Sequence, residues 1–221
     1  FGATSSLVRF WSKNGFHPLR VSVRQSHVSG ERSLLVALGL TPRAKGLLKT
    51  LMLPLRQELD EQLLTAARDI TPELVFHLYT QLSFTIRKEA LSNTDSDMDI
   101  VDEQIELSDR EWKALGAVAF SGRAYELAAG PARRLALAWL IKYAHHCHCP
   151  QALHPLGKLL IMKVIQAQGW QEVTQNLALG STSEAMKGLS AALRLAFFDL
   201  APRWVQEWVE RFPQYEKPAS L

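Results

Sequence analysis

The protein has 221 residues, of which 47% are apolar and 21% charged, and its formal net charge is +3. This composition is typical of a folded globular protein, and no apolar run approaches the roughly 18 residues of a membrane span, which argues against membrane-spanning and disordered classes. Cys147 and Cys149 lie one residue apart, so a fold built on disulfides is excluded. We expect a cytoplasmic protein. Because the chain begins at Phe1 without a methionine, we also expect a fragment of something longer.

The charge is distributed unevenly along the chain. Residues 1–57 carry nine Lys or Arg and one acid, residues 58–110 carry four basic and thirteen acidic side chains, and residues 111–221 carry twelve basic and eight acidic ones. A segment with a net charge of +8 creates a local positive field, for which polyanions are natural partners. The alternative is that these cations are spread over an ordinary solvated surface.

The first forty residues predict a small α/β piece. Apolar residues at helical spacing predict a helix over residues 4–13, which Asn14 and Gly15 end. Apolar and polar residues then alternate over residues 18–24, and a second apolar run follows over residues 33–38. Helix, strand, hairpin turn and strand are therefore expected in this order.

From Thr41 onward the pattern is helical, and it predicts seven to nine helices. The starts are marked by capping residues or prolines. These starts are Thr71-Pro72-Glu73, a capping box of Ser108 with Glu111, Gly130-Pro131, Pro155, a second capping box of Ser181 with Glu184, and Pro202. The predicted fold class is mainly α, with a short α/β piece at residues 1–40 followed by a multi-helix domain at residues 41–221.

The first 38 residues resemble a known family. The resemblance is carried by Phe1-Gly2-Ala3-Thr4, by Phe10-Trp11-Ser12-Lys13-Asn14-Gly15-Phe16, by Pro18 and Arg20, and by Ser29-Gly30-Glu31-Arg32-Ser33. These motifs are similar to those of the tRNA(Met) cytidine acetyltransferase family. The resemblance implies that residues 1–40 are the end of a GNAT acetyltransferase domain and that residues 41–221 occupy the place of the C-terminal tRNA-binding region.

The resemblance also implies an activity. Enzymes of this family transfer acetyl from acetyl-CoA to the exocyclic amine of the wobble cytidine of elongator methionine tRNA, and an upstream helicase-like module hydrolyses ATP. Acetyl-CoA and ATP with magnesium are thus the implied cofactors of the full-length enzyme. The GNAT pyrophosphate loop and a nucleotide-binding loop are both missing from this sequence, so we expect the chain alone to be inactive and to bind neither cofactor.

Two residues are candidate cofactor contacts by this resemblance. Lys13 aligns with a position usually held by arginine, where a cation can meet a CoA phosphate, and Thr4 with the helix-start residue that contacts the pantetheine arm. The alternatives are an exposed lysine at a helix end for Lys13 and an N-cap for Thr4. Trp11 stands where many GNAT enzymes have a tyrosine that protonates the leaving thiolate, but an indole has no useful acidity. The catalytic residues therefore remain unknown.

The candidate RNA contacts are cations expected to bind phosphates rather than read bases. They are Arg20, Arg24, Arg43, Lys45 and Lys49 near the junction of the two parts, with Arg133 and Arg134 on a later helix. Elongator methionine tRNA is the expected partner, and no membrane is expected. A strand edge left unpaired by truncation could also give non-physiological self-association.

Three further sequence features have ordinary interpretations. Glu31 could act as a base or orient substrate, but an ion pair with Arg32 or Arg24 is the favoured expectation. His145 to His154, with both cysteines, holds metal-ligand residue types without the two separated pairs of a zinc site. Asp95 to Glu106 has EF-hand spacing but Ile100 at the glycine position. No metal site is predicted.

Two other functions stay open. The chain could be a helical protein-interaction module attached to a GNAT remnant, or part of a GNAT acetyltransferase that acts on another amine.

Overall fold

The computed structural model describes residues 1–93, 105–146 and 153–215. It confirms a mainly α fold with a short α/β piece, since a pair of strands and a series of helices account for most of these residues. Helices and strands are numbered below in chain order.

The first helix and the strand pair form as the sequence predicts. Helix α1 (Ser5–Lys13) begins at Thr4, whose side chain accepts a hydrogen bond from the Leu7 backbone N–H, and Gly15 follows its end at a φ of 80°. The left-handed φ explains the glycine. Strands β1 (His17–Gln25) and β2 (Arg32–Ala37) pair antiparallel.

The backbone ahead of α1 extends the same small sheet. Gly2 forms an antiparallel bridge with Ser33 of β2, the Leu34 N–H donates to the Phe1 carbonyl, and the Ala3 N–H donates to the Arg32 carbonyl. Strand β2 therefore lies between β1 and the first three residues.

Two long helices follow the strands. Helix α2 (Pro42–Gln62) begins at Thr41, whose hydroxyl accepts from the Ala44 N–H, and it packs on β1. Helix α3 (Pro72–Asn93) begins at Thr71, whose hydroxyl accepts from the Leu74 N–H, and it packs on α1. The buried stripe of α2 has helical spacing and consists of Leu48, Met52, Leu55 and Leu59.

The remaining elements are shorter. They are α4 (Asp109–Ser121), a 3₁₀ turn (Tyr125–Ala128), α5 (Ala129–His146), α6 (Pro155–Leu159), a π-helical segment (Leu160–Ile165), α7 (Trp170–Asn176), α8 (Thr182–Leu200) and α9 (Pro202–Arg211). The prolines predicted to open α6 and α9 are confirmed.

The two predicted capping boxes differ in outcome. At α4 the box is complete, since Ser108 accepts from the Glu111 N–H and the Glu111 carboxylate accepts from the Ser108 N–H. At α8 Ser181 accepts from the Glu184 N–H, but the Glu184 carboxylate accepts from the Gly180 N–H at 2.8 Å. The predicted hydrogen bond from the Ser181 N–H to the Glu184 carboxylate is therefore wrong, because this carboxylate binds the N–H of the residue before the cap.

The described chain divides into two compact units. Unit 1 comprises residues 1–102 and 143–151, and unit 2 comprises residues 103–142 and 152–221. Within these ranges, residues 94–104, 147–152 and 216–221 lie outside the described residues. Unit 1 thus contains the α/β piece together with α2 and α3. The proposed boundary at residue 40 between two parts of the chain stays a prediction.

Unit 2 has an aromatic core where α4, α8 and α9 meet. Phe120 stacks on Trp208 at 5.9 Å between ring centroids, and Trp112 meets Phe197 edge to face at 5.3 Å. Gly116 makes room for Trp208, since a Cβ at that position would lie 2.0 Å from the indole. None of the described helices is both long and apolar enough to cross a bilayer.

Candidate nucleic-acid interface

Two of the predicted RNA contacts lie on β1. Arg20 and Arg24 are both exposed, and within the described part of the chain neither guanidinium has a hydrogen-bond or ion-pair partner. Both side chains line one shallow depression beside β1. They are two unneutralised positive charges available to a ligand.

Three further predicted contacts lie on the first half of α2. Arg43, Lys45 and Lys49 are all exposed, and Lys45 and Lys49 are one helical turn apart. Leu48 and Met52 face the interior, so the cations cover the solvent side of the helix. These three residues are called the junction cations below.

The two predicted contacts in unit 2 bind elsewhere in the protein itself. The Arg133 guanidinium donates to the Ile165 carbonyl at the end of the π-helical segment. The Arg134 guanidinium forms an ion pair with Glu111 and donates to the Glu106 carbonyl at 3.4 Å. Hydrogen bonds from Ser108 and from Arg134 lower the pKa of Glu111, which keeps this partner ionised. Arg133 and Arg134 therefore both stabilise contacts within the protein, and their role as RNA contacts stays a prediction.

Arg32 belongs to the same basic segment, but the structure buries it. Its Nε and Nη2 donate to Asp69 at 3.1 and 2.5 Å, Nη2 also donates to the Ala66 carbonyl, and Nη1 donates to the Ser22 and Val23 carbonyls. Only 8% of Arg32 is exposed. A cation counted toward the positive field of the sequence is therefore neutralised inside the fold.

Asp69 is the acidic partner in this network. Partial burial alone would raise its pKa, but the hydrogen bonds from Arg32, from its own backbone and from the Gln25 amide outweigh burial and lower it. The carboxylate is therefore ionised throughout the neutral range and holds Arg32 in place.

The expected ion pair of Glu31 is wrong. Arg32 turns toward Asp69, and in the described chain no ion pair joins Glu31 to Arg24. The Glu31 carboxylate packs against Gly2 instead, where a Cβ would lie 1.9 Å from Oε2. Sequence adjacency favoured a neighbouring partner, whereas the pairing of β1 with β2 carries Arg32 toward the loop before α3.

The candidate cofactor contacts lie at opposite ends of α1. The Thr4 hydroxyl accepts from the Leu7 N–H at 3.3 Å and lies 3.1 Å from the Ser6 hydroxyl, so it serves as the helix N-cap. Lys13 is exposed in the last turn, and its ammonium has no partner among the described residues. Of these two candidates, Lys13 therefore has a free charge that fits contact with one phosphate of a CoA-type ligand.

Trp11 is part of an aromatic cluster. Its ring lies 4.8 Å from Phe16, 5.3 Å from Phe10 and 5.9 Å from Phe1 between centroids. This packing agrees with a structural role for the indole.

The polar clusters considered for metals fall mostly outside the described residues. This applies to Asp95, Asp97 and Asp99 and to both cysteines. Where the chain is described, His154 caps α6 by accepting from the Leu156 N–H at 3.2 Å. No group of three potential metal ligands occurs in the described ranges.

Sequence reasoning missed a cation–aromatic cluster in unit 2. The Lys163 ammonium lies 4.5 Å from the centroid of the Trp170 ring and 5.6 Å from that of Tyr125, and it donates to the Gln168 carbonyl at 2.9 Å. Burial, with the nearby Glu126 charge, raises the pKa of Tyr125 to about 12. Tyr125 lies in the 3₁₀ turn and Lys163 in the π-helical segment, so no local sequence pattern indicated the cluster.

Comparison with known proteins gives consistent results. A protein of Nitrosococcus halophilus named tRNA(Met) cytidine acetyltransferase TmcA is 27% identical over 215 residues, which cover 96% of this chain and 26% of that protein. A protein of the same name from Haloferax volcanii is 26% identical over 212 residues, covering 96% and 25%. A third, from Pyrococcus abyssi, is 37% identical over 79 residues, covering 36% and 10%.

No protein-family model matches the chain. The chain spans about a quarter of the length of the curated relatives that match nearly all of it. The resemblance carried by the first 38 residues is nevertheless confirmed by matches that extend over both units: the chain is a homologue of the tRNA(Met) cytidine acetyltransferases.

Proposed function

We propose that the chain is the tRNA-binding C-terminal part of an acetyl-CoA-dependent tRNA cytidine N-acetyltransferase that modifies the wobble cytidine of elongator methionine tRNA. The names of its relatives support the reaction. The observation that carries the binding role is the set of exposed cations in unit 1, on β1 and on the first half of α2.

These cations bind the RNA backbone in this proposal. Lysine and arginine side chains attract phosphates without distinguishing sequences, and they release counterions on binding. Arg20 and Arg24 have no acidic partner within the described ranges that would compete with a phosphate. The chain therefore holds and orients tRNA, and we assign no base recognition to it.

The chemical step is proposed for the full-length protein. Acetyl-CoA, when bound, supplies the acetyl group as a thioester, and Lys13 is the residue of this chain that holds one of its phosphates. Thr4 shapes the start of α1, and Trp11 shapes its packing. ATP with magnesium would be bound by a helicase-like module outside this chain.

One observation favours the interaction-module alternative. Leu47 and Leu51 lie one helical turn apart on α2, close to the junction cations in sequence, and are 60% and 45% exposed. Exposed apolar side chains near one another are typical of surfaces that bind proteins. The two functions differ in the role of the junction cations: they bind phosphates if the chain binds tRNA, and they are ordinary surface charges if it is a protein-interaction module.

The test is a salt titration of tRNA binding. Replacing Arg43, Lys45 and Lys49 together by alanine removes three charges from the junction. If four to six phosphates are neutralised, the wild-type log–log slope of affinity against salt is roughly −3 to −5. We expect the triple variant to bind all tRNAs more weakly and with a flatter slope, measured by filter binding at several salt concentrations.

A matched variant controls for net charge. Lys113, Lys187 and Arg203 are exposed residues of unit 2, and their replacement by alanine removes the same charge elsewhere. We expect this variant to keep most of the affinity and slope. Equal effects of both triple variants, or no effect of the junction variant, would favour the interaction module.

A further inference from the structure

A shallow depression lies beside the irregular part of β1. It is lined by Arg20, Ser22, Val23, Arg24, Ser33 and Leu35. Two cations, two hydroxyl groups and two apolar side chains therefore meet at one concave surface, and its lining contains no acid.

The depression is shaped by an irregularity in strand pairing. Val21 pairs with Leu34 and Gln25 pairs with Arg32, so the three residues between Val21 and Gln25 lie opposite Ser33 alone. The Ser22 hydroxyl accepts from the Arg24 N–H at 3.2 Å and donates to the Arg24 carbonyl at 2.8 Å. Extra residues of this kind bend a strand and redirect its side chains.

Arg32 holds this bulge from the interior. Its Nη1 donates to the carbonyls of Ser22 and Val23, two of the three residues that lie opposite Ser33. The other side of the same guanidinium is fixed by Asp69 and by the Ala66 carbonyl. The position of Arg24 is thus linked to the loop between α2 and α3 through the buried Arg32 side chain, and the amide of the adjacent Gln25 also donates to Asp69.

The lining fits a nucleotide unit of RNA. Phosphate oxygens accept charge-assisted hydrogen bonds from arginine, and serine hydroxyls commonly add to backbone contacts. Val23 and Leu35 are 51% and 57% exposed, so they offer apolar surface to a ribose or base beside the phosphate.

We propose that this depression binds a phosphate of the tRNA backbone through Arg20 and Arg24, and that Arg32 with Asp69 is a positioning pair that shapes it. The inference rests on the proposed tRNA-binding function and adds a defined contact site to it. Because Arg32 is buried, it acts through the bulge and does not touch the RNA.

The first arm of the test removes the contacts. Arg20→Ala and Arg24→Ala are each expected to weaken binding of a methionine tRNA transcript about three- to tenfold and to reduce the salt slope by about 1. Inorganic phosphate is titrated as a competitor, and we expect it to displace the tRNA only weakly. Displacement by phosphate at concentrations comparable to tRNA binding would instead assign the site to a free anion. Unchanged affinity and slope in both variants would overturn the proposal.

The second arm separates positioning from charge. Asp69→Ala and Glu61→Ala each remove one negative charge, and Glu61 is an exposed residue of α2 whose side chain has no part in the Arg32 network. Simple electrostatics predicts that both variants bind tRNA as tightly as wild type or more tightly. The positioning account predicts that Asp69→Ala binds about threefold more weakly, while Glu61→Ala does not. Equal behaviour of the two variants would refute the positioning role.

The charge-neutral variant Ser22→Ala guards against misfolding. It removes the two hydrogen bonds within the bulge, and we expect it to weaken tRNA binding with an unchanged melting temperature. Unchanged binding would contradict the account of the bulge. If the junction-cation variant loses affinity while all variants at the depression keep it, this inference fails and the proposed function stands; if none loses affinity, both fail.

Discussion

The candidate RNA contacts of the two units differ in whether the protein itself already binds their guanidinium groups. In unit 2 the Arg194 guanidinium donates to the Ala119 carbonyl at 2.5 Å and lies 4.1 Å from the Tyr215 ring centroid, and Arg133 and Arg134 are bound to other groups of the protein. In unit 1 Arg32 is similarly bound, but Arg20 and Arg24 are exposed without partners in the described chain. Positive charge in a sequence is therefore available to a ligand only where the fold leaves it unneutralised.

The two units also differ in the interactions described here that stabilise them. A network around one buried guanidinium joins the strand pair of unit 1 to the loop before α3. Unit 2 is stabilised by close aromatic packing, which depends on shape rather than charge. Each kind of interaction can be removed by a single substitution.

The largest expected effect on stability is that of Arg32→Ala. It leaves the Asp69 carboxylate without its cation and three backbone carbonyls without a donor. Breaking a buried pair costs about 3–5 kcal/mol, and because Asp69 is partly exposed we expect a loss of about 2–4 kcal/mol in the free energy of unfolding. Urea denaturation would measure it.

Arg24→Ala is the matched control for this change. Arg24 is an exposed arginine of the paired strand, and its removal should change stability by no more than about 0.5 kcal/mol. A similar loss in both variants would show that the network around Arg32 does not stabilise unit 1.

A smaller loss is expected from Gly116→Ala in unit 2. The added methyl group would overlap the Trp208 indole, so the ring must leave its place against Phe120. Overpacking of this kind typically costs about 1–3 kcal/mol. Near-ultraviolet circular dichroism should also lose intensity as the tryptophan environment changes. Gly130→Ala, where a Cβ meets nothing within 4 Å, should be neutral or slightly stabilising; equal losses in the two variants would contradict the packing account.

The smallest expected effect is at Lys13. If its ammonium holds a phosphate, Lys13→Ala in the full-length protein should raise the KM for acetyl-CoA about threefold to tenfold, with little change in kcat, since a solvent-exposed contact typically contributes about 0.5–1.5 kcal/mol. Arg9→Ala removes an exposed cation from the same helix and should leave that KM unchanged. An unaltered acetyl-CoA dependence in the Lys13 variant would remove this assignment.

Local features of the fold were predictable from the sequence. Thr4 caps α1 and Ser108 with Glu111 caps α4 because both partners of each hydrogen bond lie within three residues. The strand pair was expected at residues 18–24 and 33–38 and is observed at His17–Gln25 and Arg32–Ala37, because period-2 alternation directly reflects the two faces of a strand.

Long-range features were not predictable in the same way. Arg32 and Asp69 are 37 residues apart, and nothing local distinguishes Arg32 from the exposed Arg24. No local sequence pattern indicated the bulge in β1 or the π-helical segment at Leu160–Ile165 either. The candidate contacts could therefore be named from their charge, but the sequence did not separate exposed cations from neutralised ones.

Cross-linking tests most directly whether unit 1 carries the RNA contacts. A methionine tRNA transcript containing 4-thiouridine would be cross-linked to the protein by ultraviolet light, and the attached peptides identified by mass spectrometry. Our account predicts cross-linked peptides from residues 17–25 and 42–49. Cross-links confined to residues 105–142 and 153–215, with none in those two segments, would contradict it.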